Sequence, residues 1–173
     1  TYRPNSFRYS LNSKILANLV YEPSTRTSSS FHAAMLKLGG EVLSINEINY
    51  SSVSKGENLQ DTIRTMGCYS DIIVLRSQNA GDAKLAAEVS EVPIINAGDG
   101  YHEHPTQALL DLHTIREAKG SLRGLNIIIV GDIAHSRVVR STISAMKKMG
   151  MHVKVIGPPT MSPLGIEKMG VRV

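Results

Sequence analysis

Two short stretches of this chain are aliphatic at every position. They are residues 72–75, Ile-Ile-Val-Leu, and residues 127–130, Ile-Ile-Ile-Val. A strand with one solvated face alternates apolar and polar residues, whereas a strand that is covered on both faces is apolar throughout. The two stretches therefore predict strands of a parallel sheet with helices on both sides.

The rest of the chain alternates apolar stretches with segments of helical period. The predicted strands are residues 14–21, 42–45, 71–76, 93–96, 126–130 and 152–156. The predicted helices, with apolar residues three or four positions apart, are residues 27–38, 58–69, 82–89, 106–119 and 136–149. This alternation predicts an α/β fold with a doubly wound, mainly parallel sheet sandwiched by helices. Ligands of such sheets bind beyond the carboxyl ends of the strands.

A polar turn that contains two glycines, residues 120–124, separates the fourth predicted helix from a new strand. The turn predicts a boundary between a first domain, residues 1–120, and a second, residues 121–173. The second segment holds too few elements for a core of its own. We therefore expect it to be the beginning of a second α/β domain, incomplete in a truncated chain.

Composition argues against several classes of protein. The 173 residues are 42% hydrophobic, and no apolar stretch is long enough to cross a bilayer or to form the core of a signal peptide. We therefore expect a cytoplasmic protein without a membrane partner. Cys68 is the single cysteine and has no internal disulfide partner. The net charge of +4 comes from scattered Lys and Arg residues, so nucleic acid is not an expected partner either.

Residues 22–31 read Glu-Pro-Ser-Thr-Arg-Thr-Ser-Ser-Ser-Phe and lie where the first strand is followed by a helix. Unpaired N–H groups at a helix N-terminus bind anions, and Arg26 adds a planar group that can hold two phosphate oxygens. The alternative is that Ser24 or Thr25 simply caps the helix. The segment predicts a phosphate-binding turn.

Polar residues also follow three other predicted strands. Arg76 follows the third, His104 and Gln107 follow the fourth, and Arg137 follows the fifth with Asp132 and His135. If the strands are parallel, these residues gather at one sheet edge around a phosphate ester or anhydride. His102 and His104 lack a third ligand at a suitable spacing, so we do not expect a metal.

The polar segment 49–57 is long for a connection in a compact domain and has few apolar residues. Such segments are more often functional than structural. Lys55 is its point charge, and Gly56 favours a turn or hinge.

Taken together, residues 14–173 resemble the aspartate and ornithine carbamoyltransferases. Residues 22–27, Glu-Pro-Ser-Thr-Arg-Thr, with Leu-Gly-Gly at 38–40, resemble the family's carbamoyl phosphate-binding signature. Lys-Gly-Glu at 55–57, Asn-Ala-Gly-Asp-Gly at 96–100 and His-Pro-Thr-Gln at 104–107 favour the aspartate branch. The ornithine branch is the alternative.

The resemblance implies an enzyme that transfers the carbamoyl group of carbamoyl phosphate to the α-amine of L-aspartate, without a cofactor, in pyrimidine biosynthesis. The residues that it implies for carbamoyl phosphate are Ser24, Thr25, Arg26, Thr27, Arg76, His104 and Gln107, and those for aspartate are Lys55 and Arg137. Within this set the implied catalytic residues are Arg26, Thr27, Lys55 and His104.

The resemblance also has implications for assembly. Ser51 and Lys55 match a loop that reaches into the active site of a neighbouring subunit, which implies a homotrimer. Whether a regulatory chain also binds is left open.

The chain departs from the family in two respects. Arg76 is followed by Ser-Gln, where many members have His-Pro, and this change alters the loop after the third strand. The family's first helix and its C-terminal part, with a second arginine for aspartate, are missing from these residues. A chain that ends at residue 173 would favour a non-catalytic phosphate- or carbamoyl phosphate-binding module over an enzyme.

Overall fold

The computed structural model describes residues 9–45 and 56–173. The strands are β1 (Ile15–Val20), β2 (Glu41–Ile45), β3 (Ile72–Ser77), β4 (Ile94–Asp99), β5 (Asn126–Val130) and β6 (His152–Ile156). The helices are α1 (Thr25–Lys37), α2 (Leu59–Gly67), α3 (Asp82–Val89), α4 (Pro105–Lys119) and α5 (Arg137–Lys148). Every predicted element is present, with ends that differ by a few residues. All pairs of these strands are parallel, so the predicted α/β class is confirmed.

The chain divides into two compact units, Thr1–Asp99 and Gly100–Val173. In the first unit the described strands form one sheet in the order β2-β1-β3-β4. Its register pairs Val20 with Arg76, so β1 and β3 end at the same edge. Ile73, Val74 and Leu75 are all buried, which confirms that the aliphatic stretch 72–75 is covered on both faces.

Apolar side chains cover both faces of this sheet. On one face, side chains of β1 and β3 pack with Ile63 and Met66 of α2 and Ala86 of α3. On the other face, Leu16 and Val74 pack with Met35 of α1. Fully burying one such side chain stabilises the fold by about 1.5–3 kcal/mol. These two layers fix where α1 begins relative to the end of β1.

The second unit consists of α4, α5 and the parallel pair β5-β6, with short 3₁₀ turns near its end. Ile127 and Ile129 of β5 pack against its core. Ile128 and Val130, which point to the opposite face, are 58% and 73% exposed. The prediction that residues 127–130 are covered on both faces is therefore wrong within the described residues, where the core of this unit packs on a single face of β5.

The division between the units falls before α4, at residues 99 and 100, whereas the sequence places a domain boundary at residue 120. Helix α4 belongs to the second unit because it packs mainly against α5. Residue 120 is the C-cap glycine of α4, with a φ of 75° that favours glycine. The domains 1–120 and 121–173 stay a prediction.

Among the described residues, no helix has the length and apolar character needed to span a membrane.

Candidate anion-binding site

The N-terminus of α1 follows β1 through a short turn, residues 21–24. Within the described residues the Ser24 side chain makes no capping hydrogen bond, and the first turn of α1 contains no acidic residue. The first backbone bond of the helix runs from the N–H of Ser28 to the oxygen of Ser24, at 3.1 Å. Earlier N–H groups have no acceptor within the helix and lie at the positive end of its dipole. This turn can therefore bind an anion, and simple capping by the Ser24 side chain is not observed.

Arg76, near the end of β3, lies against this turn. Its Nη1 donates to Oγ1 of Thr27 at 2.8 Å. Its Nε and Nη2 lie 3.1 and 3.0 Å from Oε2 of Glu22. Both charged side chains are only 15% exposed, so solvent screens this pair weakly. A guanidinium is thus held beside the free N–H groups of α1 before any ligand binds.

The loop after Arg76 contains the Ser-Gln pair that departs from the family pattern. The Gln78 side chain donates to the backbone oxygen of Tyr21 at 3.3 Å, and the N–H of Tyr21 donates to the oxygen of Arg76 at 2.9 Å. The Ser77 hydroxyl donates to the carboxylate of Asp82 at the start of α3. These contacts tie the loop to the end of β1. The altered loop therefore keeps Arg76 beside the α1 N-terminus.

In the second unit, His104 is the N-cap residue of α4 and is 8% exposed. Its backbone N–H donates to Oγ of Ser141 on α5 at 2.9 Å, and the Ser141 hydroxyl donates to the carboxylate of Glu103. The Gln107 amide donates to Oδ1 of Asp111 at 2.9 Å, one turn further along α4. The start of α4 is thereby attached to α5.

Arg137 is the first residue of α5 and is partly buried. The turn before it is closed by Asp132, whose Oδ1 accepts the N–H of His135 at 3.1 Å. The imidazole Nδ1 of His135 lies 3.0 Å from Oδ2 of Asp132. Chiefly because of the bond from the His135 N–H, the pKa of the Asp132 carboxyl is below its ordinary value. The carboxylate is therefore ionised at neutral pH and available to close this turn.

The structure brings the predicted residues of the first unit together and places those of the second unit at two helix starts. The first-unit group consists of Ser24, Thr25, Arg26, Thr27 and Arg76, and the second-unit group consists of His104, Gln107 and Arg137. Ser51 and Lys55 lie outside the described residues.

Glu22 is a site residue to which the sequence analysis assigned no role. Its position directly after a buried strand, within the phosphate-binding segment, was the available signal. A different signal marks Asn18, which is a polar residue inside an otherwise apolar strand. Its carboxamide donates to the backbone oxygen of Ser28. Sequence cannot show which cation an acidic residue faces, because Glu22 and Arg76 meet only through the β1-β3 pairing.

The described residues of the site offer a limited set of chemistries. Burial raises the pKa of the Tyr21 hydroxyl, so this group stays protonated at neutral pH and is not a base. Across residues 9–45 and 56–173, no group of three or more His, Cys, Asp and Glu side chains could hold a metal ion. What the first unit presents is a set of hydrogen-bond donors that includes the guanidinium of Arg76, which suits an oxyanion such as phosphate.

Residues 2–117 match the family model of the aspartate/ornithine carbamoyltransferase carbamoyl-P binding domain. The aspartate carbamoyltransferase catalytic subunit of Halothermothrix orenii is 51% identical over 164 residues, which are 94% of this chain and 52% of that protein. The corresponding subunit of Carboxydothermus hydrogenoformans is 52% identical with the same coverage. The chain thus spans about half the length of the curated relatives that it matches.

Solved structures give the same result. Trypanosoma cruzi aspartate transcarbamoylase, in a complex with N-(phosphonacetyl)-L-aspartic acid, superimposes with a TM-score of 0.87 at 38% identity and covers 95% of this chain and 56% of its own. The same enzyme with carbamoyl phosphate and aspartate also gives 0.87. The catalytic subunit of M. jannaschii aspartate transcarbamoylase gives 0.83 at 44% identity, covering 96% of this chain and 56% of its own.

Proposed function

Because this chain belongs to the aspartate/ornithine carbamoyltransferase family, we propose that it carries the carbamoyl phosphate-binding part of an aspartate carbamoyltransferase. The reaction moves the carbamoyl group of carbamoyl phosphate to the α-amine of L-aspartate and gives N-carbamoyl-L-aspartate and phosphate, a step of pyrimidine biosynthesis. The observation that carries this proposal is the Arg76 guanidinium, held 2.8 Å from Thr27 at the open end of α1.

The phosphate of the substrate binds at the start of α1. The N–H groups that precede Ser28 and the side chains of Ser24 and Thr25 donate to its oxygens, and Arg76 neutralises its charge. Glu22 shares the guanidinium with the incoming anion, and the partial burial of this pair holds Arg76 in place. We also assign Lys55, which the family resemblance places at aspartate, to neutralising the departing phosphate.

The carbamoyl carbon is attacked by the lone pair of the aspartate amine. The resulting tetrahedral intermediate carries negative charge on the former carbonyl oxygen, which we assign to Arg26, Thr27 and His104 as donors. The bond between carbon and the bridging oxygen then breaks, and phosphate leaves with its electron pair. The proton lost by the amine passes to the departing phosphate, because no assigned residue is suited to act as a base.

Aspartate is held through its carboxylates. Arg137 opens α5 and is assigned to one of them, with Lys55 contributing from a neighbouring subunit together with Ser51. Two anions held by separate cationic groups are brought into reacting distance, and such proximity lowers the entropic part of the barrier. Gln107 is assigned to the carbamoyl group. To bind it, the Gln107 amide gives up its hydrogen bond to Asp111.

The proposal extends to assembly and location, namely a cytoplasmic homotrimer. Relatives named as catalytic subunits support an assembly of several chains, and a regulatory chain would be a further partner. Sedimentation of the purified chain across a range of concentrations tests the trimer.

A product assay tests the activity. Purified chain is supplied with carbamoyl phosphate and either aspartate or ornithine, and carbamoyl-aspartate is the expected product. Citrulline instead would assign the chain to the ornithine branch. If the chain binds carbamoyl phosphate but forms neither product, it is a binding module that does not transfer the carbamoyl group to an acceptor.

A further inference from the structure

Asn18 is a polar residue in the middle of β1 whose side chain is completely buried. Side chains two positions apart on a strand share a face, so Asn18 points to the same side as Leu16. That layer is otherwise apolar, with Leu16 and Val74 packed against Met35 of α1. Burying an amide among such side chains costs free energy unless all its hydrogen bonds are made. A leucine at this position would fill the layer without that cost.

The Asn18 carboxamide attaches β1 to the start of α1. Its Nδ2 donates to the backbone oxygen of Ser28 at 3.1 Å and lies 3.3 Å from the Ser28 hydroxyl oxygen. The N–H of Ser28 makes the first backbone bond of the helix. Asn18 therefore contacts the residue that directly follows residues 25–27, whose N–H groups the proposed function assigns to phosphate.

These bonds leave the Asn18 amide only partly satisfied. Its Oδ1 is buried and has no hydrogen-bond partner among the described residues. An unpaired buried oxygen opposes folding by an amount comparable to what one hydrogen bond contributes. Asn18 therefore adds little net stability to the fold. What distinguishes it from an apolar residue at this position is its hydrogen bond to Ser28.

We propose that Asn18 is a positioning residue for the phosphate-binding turn. By holding Ser28, it fixes the rotation of the first turn of α1 about the helix axis. The N–H groups of residues 25–27 then face the anion together with Thr27 Oγ1 and Arg76, which are 2.8 Å apart. Asn18 itself touches no substrate and acts through Ser28. This inference rests on the proposed function of the turn.

The test replaces Asn18 with leucine, which has the same branching at Cγ and no donor. We expect Asn18→Leu to weaken binding of inorganic phosphate and of carbamoyl phosphate about tenfold, while the urea midpoint stays the same or rises. In the product assay, the KM for carbamoyl phosphate should rise and the KM for aspartate should not. Titration calorimetry and urea unfolding of the 173-residue chain supply the binding and stability values.

Ser70→Ala is the matched control. The Ser70 hydroxyl is also buried in the first unit and donates to the backbone oxygen of Met66 at 2.8 Å, away from α1. Its removal should lower stability and leave phosphate affinity unchanged. Ser28→Ala keeps the bond from Asn18 to the Ser28 backbone, so its affinity should lie between wild type and Asn18→Leu. Asn18→Ala, which removes the donor without adding bulk, gives the same readout if the leucine variant does not fold.

Two outcomes overturn the proposal while the wild-type chain binds phosphate. One is wild-type affinity in the Asn18 variants, and the other is an equal loss of affinity in Ser70→Ala, which would trace the effect to general destabilisation. A wild-type chain that binds neither phosphate nor carbamoyl phosphate overturns the proposed function itself, and the positioning role with it.

Discussion

At the scale of single residues, the site depends on charges that are placed before the ligand arrives. Arg76 is held by Glu22 and Thr27 in a partly buried position, where its interactions are stronger than those of a solvated arginine. Glu22 limits the net positive charge of the site. A phosphate therefore gains a pre-positioned guanidinium, and it avoids the entropic cost of ordering a long, mobile side chain.

The first prediction concerns Arg76. Arg76→Ala should lower kcat/KM for carbamoyl phosphate by about a hundredfold or more, because it removes a charged donor from the developing phosphate. It also removes the partly buried ion pair with Glu22, so the free energy of unfolding should fall by about 1–3 kcal/mol. Arg64→Ala is the control, since Arg64 is an exposed arginine on α2 of the same unit. A hundredfold loss in the control as well would contradict a specific role for Arg76.

The second prediction concerns pH and Asp71. Its carboxylate accepts from Lys14 at 2.6 Å and from the N–H of Ile15 at 2.8 Å, and these bonds, Lys14 first, lower its pKa. A carboxyl with a lowered folded pKa stabilises the fold above its unfolded pKa, and that stability is lost as pH falls through the folded value. In urea unfolding at pH 7, the free energy of unfolding of the wild type should therefore exceed that of Asp71→Asn. This difference should disappear below about pH 4. A difference that is independent of pH would argue against this origin.

At the scale of elements, parallel pairing decides which loops meet. Strands β1 and β3 are neighbours and end together, so Arg76 near the end of β3 lies beside the proposed phosphate-binding turn that follows β1. In the second unit, α5 combines a buried face with a polar one. Ile143 and Met146 of α5 lie in the core, while its first turn presents Arg137. Packing of the apolar face therefore sets the position of Arg137, the residue proposed to bind aspartate.

The third prediction compares two isoleucines of the second unit. Ile143 is completely buried on α5, whereas Ile128 is 58% exposed on β5. In the 173-residue chain, Ile143→Ala should lower the free energy of unfolding by about 2–5 kcal/mol because a cavity replaces packed atoms. Ile128→Ala should change it by about 0.5 kcal/mol or less. Urea unfolding measures both, and equal losses would show that the outer face of β5 is covered in solution.

At the scale of the whole molecule, the predicted binding groups are divided between two compact units. The phosphate-binding turn and Arg76 belong to the first, and His104 and Arg137 belong to the second. Each unit has its own cluster of buried apolar side chains. A phosphate ion that binds at α1 should therefore stabilise the first unit directly.

The fourth prediction follows from this division. Inorganic phosphate at a hundred times its dissociation constant should stabilise the unit that binds it by about 2.7 kcal/mol. Hydrogen exchange should then slow for the amides of β1, β3 and α1. Chloride at the same ionic strength is the control for screening, and Arg76→Ala should reduce the effect. Equal protection by chloride would indicate a general salt effect and no specific site.

The sequence by itself determined the order and type of the elements, because hydrophobic periodicity is a local property. It also predicted the phosphate-binding turn, since residues 22–31 carry their hydroxyls and arginine in one contiguous segment. Only the tertiary structure decided which side chains contact one another at that turn. Strand pairing brings Arg76 to Glu22 and Thr27, and the packing of α1 on β1 brings Asn18 to Ser28. The exposed face of β5 was likewise beyond the sequence, because an aliphatic stretch does not specify which elements pack against it.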